Sequence, residues 1–374
     1  MTLSSLLHPS WDALASRLSA DSSQCLTPFQ SPLWFAAWYA TIGAQQNITC
    51  LPVELRDESG AFFAAVPLIM KRDKGLKIIE FADRGVTDYN AIFFSSNAKS
   101  DYYDPVAIIA AIKKSLPHAD LINFKKMPPQ IGVLNNPLAN HPQAAKSELN
   151  TSFLFFSGSW EHYRRKILKK KFRMDLERSW RVFERDGSNA RFEVIRHIDE
   201  ALELFSQLEH MQSQRMQQKG KKYILDRHEY RAFYKSILSE GLADGEVIFT
   251  VLKSDEEVVA ALYGIKNNSS YAMLRLAQAP DGWSHCSPGK LIIEKTMQWL
   301  HGQGIDYFDF TTGDYAYKNN FGVEVNSLFE LELPLSMRGR LALMRKKSIS
   351  CIKLYLQNFP RIYLLIKKIT KKIA

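Results

Sequence analysis

The first half of the chain alternates between helical and strand-like patterns of apolar residues. The segment SPLWFAAWYATIG repeats apolar residues at helical spacing, Ser31 can cap its start, and Pro32 suits its first turn. Three strand-like runs follow, ITCLPVELR, AFFAAVPLIM and LKIIEFA, and the turns DESG and RDKG join them. A helix over residues 105–116 and a strand over residues 120–124 come next. This order predicts an α+β half that begins with a small antiparallel meander.

The second half of the chain shows a similar order of patterns. A long basic helix is expected from residue 160 to about residue 183, before the strand ARFEVIR and helices over residues 198–219 and 227–238. The strand patterns GEVIFTVLK, EVVAALYGIKN and SYAMLRLAQ are joined by short polar turns, so they should form consecutive antiparallel hairpins. The helix KLIIEKTMQWLHGQG and the strand DYFDFT follow them. The order of predicted helices and strands in this half therefore resembles that of the first half.

A stretch without clear periodicity, residues 127–150, lies between these patterns and is rich in Pro and Asn. We expect one half over residues 1–150, a second over 151–334, and a basic amphipathic tail over 335–374. A length of 374 residues suits two domains, and 46% hydrophobic with 24% charged residues excludes collagen-like, mucin-like and wholly disordered chains. The predicted fold class is α+β. Each half should be a mixed, mostly antiparallel sheet flanked by helices, and the tail should be helical.

The positive charge of the chain is concentrated in the tail. The formal net charge is +10, but residues 335–374 hold 11 of the 49 basic residues and no acidic one, so 38 basic residues balance 39 acidic ones elsewhere. Apolar residues mixed with these cations are typical of helices that lie on an anionic membrane surface. We expect two helices broken at Pro360 and peripheral attachment to such a membrane. Docking on the body of the protein or on a partner is the alternative.

A second basic run, YRRKILKKKFR, spans residues 163–173. It could contact tRNA phosphates or anionic lipid, because clustered Lys and Arg neutralise phosphate charge. A basic run on a helix is more often a solvated face, and acidic residues nearby dilute this one. Nucleic acid is therefore not expected as a partner unless the chain uses charged tRNA.

The cysteines and the apolar segments limit the class of protein further. Cys25, Cys50, Cys286 and Cys351 show no CxxC spacing, so neither a metal site nor a disulfide framework is expected, and a reducing compartment fits. The N-terminal segment has no basic region before an apolar stretch, and no later segment reaches the roughly 20 apolar residues that span a bilayer. We expect a cytoplasmic protein, with any membrane contact at the inner face of the plasma membrane.

The helix start at Ser287, Pro288 and Gly289 could bind phosphate. The first N–H groups of a helix lack partners within the helix, and the helix dipole adds positive charge there. Ser287 suits the cap, Gly289 allows a ligand to approach the backbone, and Lys290 adds a cation. Ordinary helix capping is the alternative interpretation of this pattern.

The stretch SPGKLIIEKTMQWLHGQGIDYFDFTTGDYAYKNNFG resembles the signature of the CelD-like bacterial family of the GNAT superfamily, which is associated with cellulose and surface-polysaccharide biosynthesis. The resemblance also includes FQSPLWFAAWYATIG and VTDYNAIFF, and it covers about residues 25–330. The matching positions in the second half are Ser287, Gly289, Phe308, Asp309, Phe310, Gly313, Asp314, Tyr317 and Lys318. It implies tandem GNAT-like halves related to the Fem-type aminoacyltransferases, with the acyl donor in the second half.

The resemblance implies acetyl-CoA or another acyl-CoA as the donor substrate. No metal ligands stand out in the sequence, so no metal is expected. The residues expected at the donor are Leu276, Gln278, Ser287, Gly289 and Lys290. The sequence departs from the usual Q/R-x-x-G-x-G/A phosphate loop, because QAPDGWSHCSPG sets its glycines too far apart. An aminoacyl-tRNA donor, as in the Fem-type relatives, therefore stays open.

The resemblance also directs attention to the segment after DYFDFT. Direct acyl transfer needs a proton acceptor, a donor to the leaving thiolate and a group that stabilises the oxyanion. We assign Asp314 as base or acceptor-orienting carboxylate, Tyr317 as proton donor and Lys318 as the cation, with His285 as a second candidate base. A turn whose aspartate caps the next segment is the alternative for GDYAYK.

Three further residues are expected to contact the acceptor. Asp88 and Tyr89 follow a glycine turn and could reach across a cleft, although an Asx turn with a packed tyrosine is the simpler alternative. Asp309 alternates with apolar neighbours on its strand and so points away from Phe308 and Phe310. We expect an acyl-CoA-dependent N- or O-acyltransferase that acts on a small-molecule or lipid-linked saccharide, or another cell-envelope precursor. The alternatives are a Fem-type aminoacyl-tRNA-dependent transferase and a catalytically degenerate scaffold of a polysaccharide synthesis complex.

Overall fold

The computed structural model describes residues 3–20, 27–95, 104–132, 134–267, 269–279 and 282–357. Its helices are α1 Trp11–Ala20, α2 Pro32–Ala40, α3 Pro105–Ser115, α4 Trp160–His162, α5 Lys170–Asp186, α6 Ile198–Gln218, α7 His228–Gly241, α8 Pro288–Gly302 and α9 Met337–Gln357. Its strands are β1 Ser4–Leu7, β2 Ile48–Arg56, β3 Phe62–Asp73, β4 Leu76–Phe81, β5 Phe93–Phe94, β6 Leu121–Met127, β7 Gln130–Ile131, β8 Leu134–Asn135, β9 Ala145–Phe155, β10 Arg191–Ile195, β11 Val247–Ser254, β12 Glu257–Lys266, β13 Ser270–Gln278, β14 Tyr307–Thr312 and β15 Glu324–Pro334.

One mixed sheet runs through both halves of the chain. Its strand order is β1-β2-β3-β4-β6-β15-β9-β14-β13-β12-β11-β10, with β5 paired to β3, while β7 and β8 form a separate hairpin. All pairs within it are antiparallel except β4 with β6 and β13 with β14. A meander, a helix and a parallel returning strand thus occur once in each half. The predicted α+β fold with two similarly built halves is confirmed.

The two halves exchange strands at the centre of this sheet. Strand β9 follows the first half in sequence but pairs with β14 of the second half. Strand β15 follows β14 but pairs with β6 of the first half, and β9 and β15 pair with each other. Sequence analysis missed β15. It also assigned residues 145–150 to a connection, although they form the first part of β9.

Helices cover both faces of the sheet. On one face, α1, α2, α6 and α7 share a single apolar core that spans the two halves, with Trp34, Trp38 and Phe205 fully buried. On the other face, α3 packs over the first half and α5 with α8 over the second. The helix α2 begins as predicted, because the hydroxyl of Ser31 accepts a hydrogen bond from the Trp34 N–H.

The long basic helix expected from residue 160 is interrupted. The helix α4 continues as a π-helical turn, Tyr163–Ile167, and Leu168 is extended before α5 begins. The interruption lets the buried Tyr163 donate its hydroxyl proton to the Phe321 carbonyl at 3.0 Å and lets Leu168 pack into the core. Packing against the segment after β14 therefore overrides the helical propensity of the basic run.

The tail begins as the predicted basic helix, α9. The expected break at Pro360 lies outside the described residues. Within the part of the chain that the structure describes, no helix is both long and apolar enough to cross a bilayer.

Close packing at the centre of the second half gives a test of the fold. A Cβ atom at Gly264 on β12 would lie 2.2 Å from the fully buried ring of Tyr271, so Gly264→Ala should lower the free energy of unfolding by about 1–3 kcal/mol. Denaturant unfolding measures this change. Gly302→Ala is the control, because a Cβ at Gly302 meets open space, and equal stability losses in both variants would contradict the packing described.

Candidate active site

A rigid loop after β4 carries two of the predicted site residues. The Asp83 carboxylate accepts hydrogen bonds from the backbone N–H groups of Gly85 and Thr87. It also accepts from the Asn90 side-chain amide and from the ammonium of Lys126 at 3.1 Å. Several charge-assisted bonds to one carboxylate fix the loop. The loop therefore holds its next residues in a defined direction, toward the second half.

Those next residues, Asp88 and Tyr89, meet strand β14 of the second half. The Tyr89 hydroxyl donates to Asp309 Oδ1 at 2.8 Å, and the hydroxyl of Thr312 donates to Asp88 Oδ1. The Tyr89 hydroxyl also contacts Thr151 Oγ1 on β9. The structure thus brings together all three residues that the sequence assigned to the acceptor.

The Asp309 carboxyl is the most perturbed acidic group of this cluster. It is 4% exposed, and its Oδ1 accepts the Thr311 N–H at 2.6 Å as well as the Tyr89 hydroxyl. Burial raises the pKa of Asp309 from its ordinary 3.8 to about 7, against the opposing effect of these hydrogen bonds. Burial also raises the pKa of Asp88. Asp309 can therefore gain or lose a proton near neutral pH, as a general base must.

Asp309 lies where strands β13 and β14 separate. Ser270 pairs with Tyr307 and Ala272 with Asp309, and no later pair joins the two strands along their described residues. Thr311 has φ of +60°, which bends β14 away, and its hydroxyl donates to the Met273 carbonyl at 3.2 Å. The gap that opens between β13 and β14 beyond the pair Ala272 and Asp309, called the wedge below, begins at the buried Asp309 carboxyl.

A cavity of about 390 Å³ opens beside Asp309. Both halves line it, with Phe29 and Tyr89 from the first and Tyr271 from the second. Phe153 and Tyr307 lie on its wall as a stacked pair with ring centroids 5.2 Å apart. Aromatic walls with a few polar groups are typical of small-molecule sites.

Lys318 differs from its predicted arrangement. Its side chain folds back into the turn after β14 and is 2% exposed. The ammonium donates to the carbonyls of Thr311 at 2.9 Å, Thr312 at 3.1 Å and Gly313 at 2.8 Å. Burial lowers the pKa of Lys318 to about 8. All three ammonium protons are thus used within the turn, and Lys318 holds the bend of β14 instead of presenting a free cation.

The other predicted catalytic residues lie outside the cavity wall. Asp314 is exposed. Tyr317 is half-buried and stacks on Tyr315 with centroids 6.0 Å apart, and burial raises the pKa of its phenol to about 12. The His285 ring bonds the Asp186 carboxylate at 3.0 Å at the end of α5. The structure does not bring His285 to Asp309.

The start of α8 gathers most of the predicted donor residues. Ser287 adopts the left-handed conformation with φ of +50°, and its side chain makes no capping bond. A Cβ at Gly289 would lie 2.5 Å from the Gln278 side-chain oxygen and 3.9 Å from Leu276. The half-buried Lys290 follows in the first turn. The Leu276 carbonyl accepts a hydrogen bond from the Gln212 amide at 2.9 Å. This helix start borders the open part of β13.

Comparisons with known proteins identify the type of domain that carries this site. A family model described as "Acetyltransferase (GNAT) domain" matches residues 170–319. The second half of the chain contains a GNAT acetyltransferase domain. The expectation of a GNAT-type acyltransferase is confirmed at this level. The finer assignment to the CelD-like branch stays a prediction, and a search of curated sequences finds no significant match.

Solved structures share the fold of the GNAT domain and of the half before it. FemX is 12% identical with a TM-score of 0.55, and the match covers 88% of this chain and 97% of FemX. L-PGS from Bacillus licheniformis is 13% identical with a TM-score of 0.50, covering 86% and 91%. A tandem GNAT protein from the clavulanic acid biosynthesis pathway is 9% identical with a TM-score of 0.45, covering 89% and 99%. At identities this low, the matches to FemX and L-PGS indicate a shared fold alone.

Sequence analysis missed several residues that shape the site of the GNAT domain. Thr151 and Lys126 support Tyr89 and its loop, and Gln212 and Thr311 bond the carbonyls of β13. The apolar, aromatic-rich run FLFF directly after Thr151 and Ser152 could have identified the strand that carries Thr151. The other three are recognised only from long-range contacts. Among the described residues, no cluster of His, Cys, Asp or Glu side chains could hold a metal ion.

The raised pKa of Asp309 predicts a specific pH dependence of stability. The unfolded carboxyl ionises near 3.8 and the folded one near 7, so the folded state binds more protons between these values and loses stability as pH rises. Asp309→Asn removes this penalty. The free energy of unfolding of Asp309→Asn, minus that of the natural protein, should therefore increase by roughly 2–3 kcal/mol from pH 5 to pH 8.

Urea unfolding at both pH values measures the change. Asp314→Asn is the matched control, because it removes an exposed carboxylate a few residues away and should follow the natural protein. Parallel pH profiles for Asp309→Asn and the natural protein would show that Asp309 ionises like an exposed aspartate.

Proposed function

We propose that the chain is an acyl-CoA-dependent acyltransferase that transfers an acyl group directly to an amino or hydroxyl group of a saccharide or another cell-envelope precursor. The observation that carries the proposal is the Asp309 carboxyl, with a pKa of about 7, at the wall of a cavity built by both halves. The cavity would hold the acceptor. The wedge between β13 and β14 would hold the acyl end of the donor.

The donor would bind along β13 and at the start of α8. A helix N-terminus favours the pyrophosphate of CoA, and Lys290 adds a cation beside it. Ser287 and Gly289 would contact the phosphates, while Leu276 and Gln278 would line the path of the pantetheine arm. Acetyl-CoA is the proposed donor. No step of the reaction calls for a metal ion.

The chemistry would proceed through one tetrahedral intermediate. The acceptor nitrogen or oxygen attacks the thioester carbonyl, and the proton that it loses passes to the Asp309 carboxylate. Collapse of the intermediate breaks the carbon–sulfur bond and expels the CoA thiolate. Tyr317 would protonate this thiolate, because a phenol with a pKa of about 12 keeps its proton at neutral pH. The proton held by Asp309 would then pass to solvent, and solvent would reprotonate Tyr317. Lys318 would act as a positioning residue that fixes the bend of β14 beside Asp309.

The acceptor class follows from the wall of the cavity. The stacked pair Phe153 and Tyr307 offers a face for the apolar side of a sugar ring, and Tyr89, Thr151 and Asp309 supply polar partners on the same wall. A small saccharide or a lipid-linked one fits this chemistry. We propose that the reaction occurs in the cytoplasm, at or near the inner face of the membrane.

A Fem-type transferase that uses charged tRNA is the second candidate. The observation that favours it is the exposed lysine run at the start of α5, which includes Lys169, Lys170 and Lys171 and could contact tRNA phosphates. Under this candidate, neutralising these lysines would abolish activity with charged tRNA. A catalytically silent scaffold is the remaining alternative.

Binding of acyl-CoA gives the first test. Titration calorimetry of the protein with acetyl-CoA should give saturable binding at a micromolar Kd. Gly289→Ala should weaken it about tenfold or more, because the added methyl group and the displaced Gln278 side chain occupy the helix start. Gly302→Ala at the far end of α8 is the control. Failure of acetyl-CoA and longer acyl-CoAs to bind would favour the tRNA-dependent or scaffold alternatives.

The position of the base gives the second test. CoA release would be followed with a panel of amino sugars, sugar phosphates and nucleotide sugars. With an accepted substrate, Asp309→Asn should lower kcat by about 10²–10⁴-fold, because it removes the proton acceptor. Asp314→Asn should change kcat by only a few-fold. A large loss of kcat in Asp314→Asn alone would identify Asp314 as the base. Full activity in both variants would show that neither carboxylate takes part in proton transfer.

A further inference from the structure

One face of helix α9 is fixed to the sheet. A Cβ at Gly339 would lie 1.9 Å from the Asp120 carbonyl oxygen, so the helix approaches the body as closely as a glycine allows. About two turns further along, the Lys346 ammonium bonds the Glu332 carboxylate on β15 at 2.6 Å. The hydroxyl of Ser336, just before the helix, donates to the Asp120 carboxylate at 2.6 Å. These contacts set which side of α9 faces the protein.

The opposite face of α9 is apolar and exposed. Met337, Leu341, Met344 and Ile352 are 66%, 59%, 56% and 57% exposed. At about 100° per residue, these four positions fall within roughly 80° of one another around the helix. Lys346 lies on the other side, as its bond to Glu332 requires. The chain thus displays a stripe of large apolar side chains that nothing in its described part covers.

Basic residues border this stripe along both sides. Arg340 and Lys347 lie on one side of it and Arg345 on the other, and all three are exposed. Residues 337–352 contain five basic residues and no acidic one. The cations stand at the height where lipid phosphates would lie if the stripe entered the acyl region.

We propose that this face of α9 lies on an anionic membrane surface. The apolar stripe would enter the boundary between headgroups and acyl chains of the leaflet that it contacts, and the flanking cations would lie against lipid phosphates. Charge complementarity favours this occupant over a second copy of the chain, because two such faces would bring basic borders together. A membrane supplies both an apolar layer and a dense row of anions. The inference deepens the proposed location near the membrane, on which it rests, by naming the surface that makes the contact, and vesicle binding tests it separately from acyl transfer.

The test uses the full chain and vesicles of defined composition. The protein should float with vesicles of 30% phosphatidylglycerol in phosphatidylcholine, bind pure phosphatidylcholine at least tenfold more weakly, and dissociate as salt rises. Leu341→Asp with Met344→Asp should reduce binding at least tenfold, because two charges would enter the apolar stripe. Arg340→Glu with Lys347→Glu should have a similar effect.

Met174→Asp is the matched control. Met174 is a 55% exposed methionine on the basic helix α5, so this variant adds the same charge to another basic surface and should bind like the natural protein. Unchanged thermal unfolding would show that the variants fold. Vesicle binding that is absent, indifferent to phosphatidylglycerol, or unaffected by the α9 substitutions would overturn the proposal. A dimer in solution that only the α9 variants dissolve would also overturn it, in favour of a second copy.

Discussion

The site depends on keeping one carboxyl group out of water while its hydrogen bonds are satisfied. Asp309 is buried where two strands separate, and an uncompensated charge there would be costly. The Tyr89 hydroxyl and the Thr311 N–H supply the missing partners. One of these partners belongs to each half of the chain. The proton affinity of the carboxyl is therefore a property of the whole assembly and not of the GNAT domain alone.

The turn after β14 carries the complementary charge. Lys318 reaches three successive carbonyls, and this arrangement stabilises a bend that includes Thr311 in a conformation that few residues other than glycine adopt. Without the ammonium, the buried Thr311 carbonyl and the half-buried carbonyls of Thr312 and Gly313 would lose this donor. The same bend points the Thr311 N–H at Asp309. A buried cation thus shapes the backbone beside the Asp309 carboxyl without contacting that carboxyl by a hydrogen bond in the structure.

Much of this arrangement could be predicted from the sequence. Alternating strands, capped helices and the glycine turn before Asp88 are local features, and they placed Asp88, Tyr89 and Asp309 at the ends of elements that the fold brings together. The family resemblance supplied the expectation of two halves. The role of Lys318 could not be predicted, because it depends on the positive φ of Thr311, which no glycine marks. The break at Leu168 also depends on packing against Phe321, more than 150 residues away.

Because β9 and β15 each pair with a strand of the other half, the order in which the ribosome makes the strands limits when the sheet can form. A ribosome that has completed β6 has made a strand whose central neighbour, β15, will not exist until roughly 200 further residues have been added. Until then, β6 presents an unpaired edge, which other chains could extend. Contacts of such sequence separation also slow folding. The first half can close its sheet only after translation of the second, so the cavity that both halves line and the finished fold arise in the same late step.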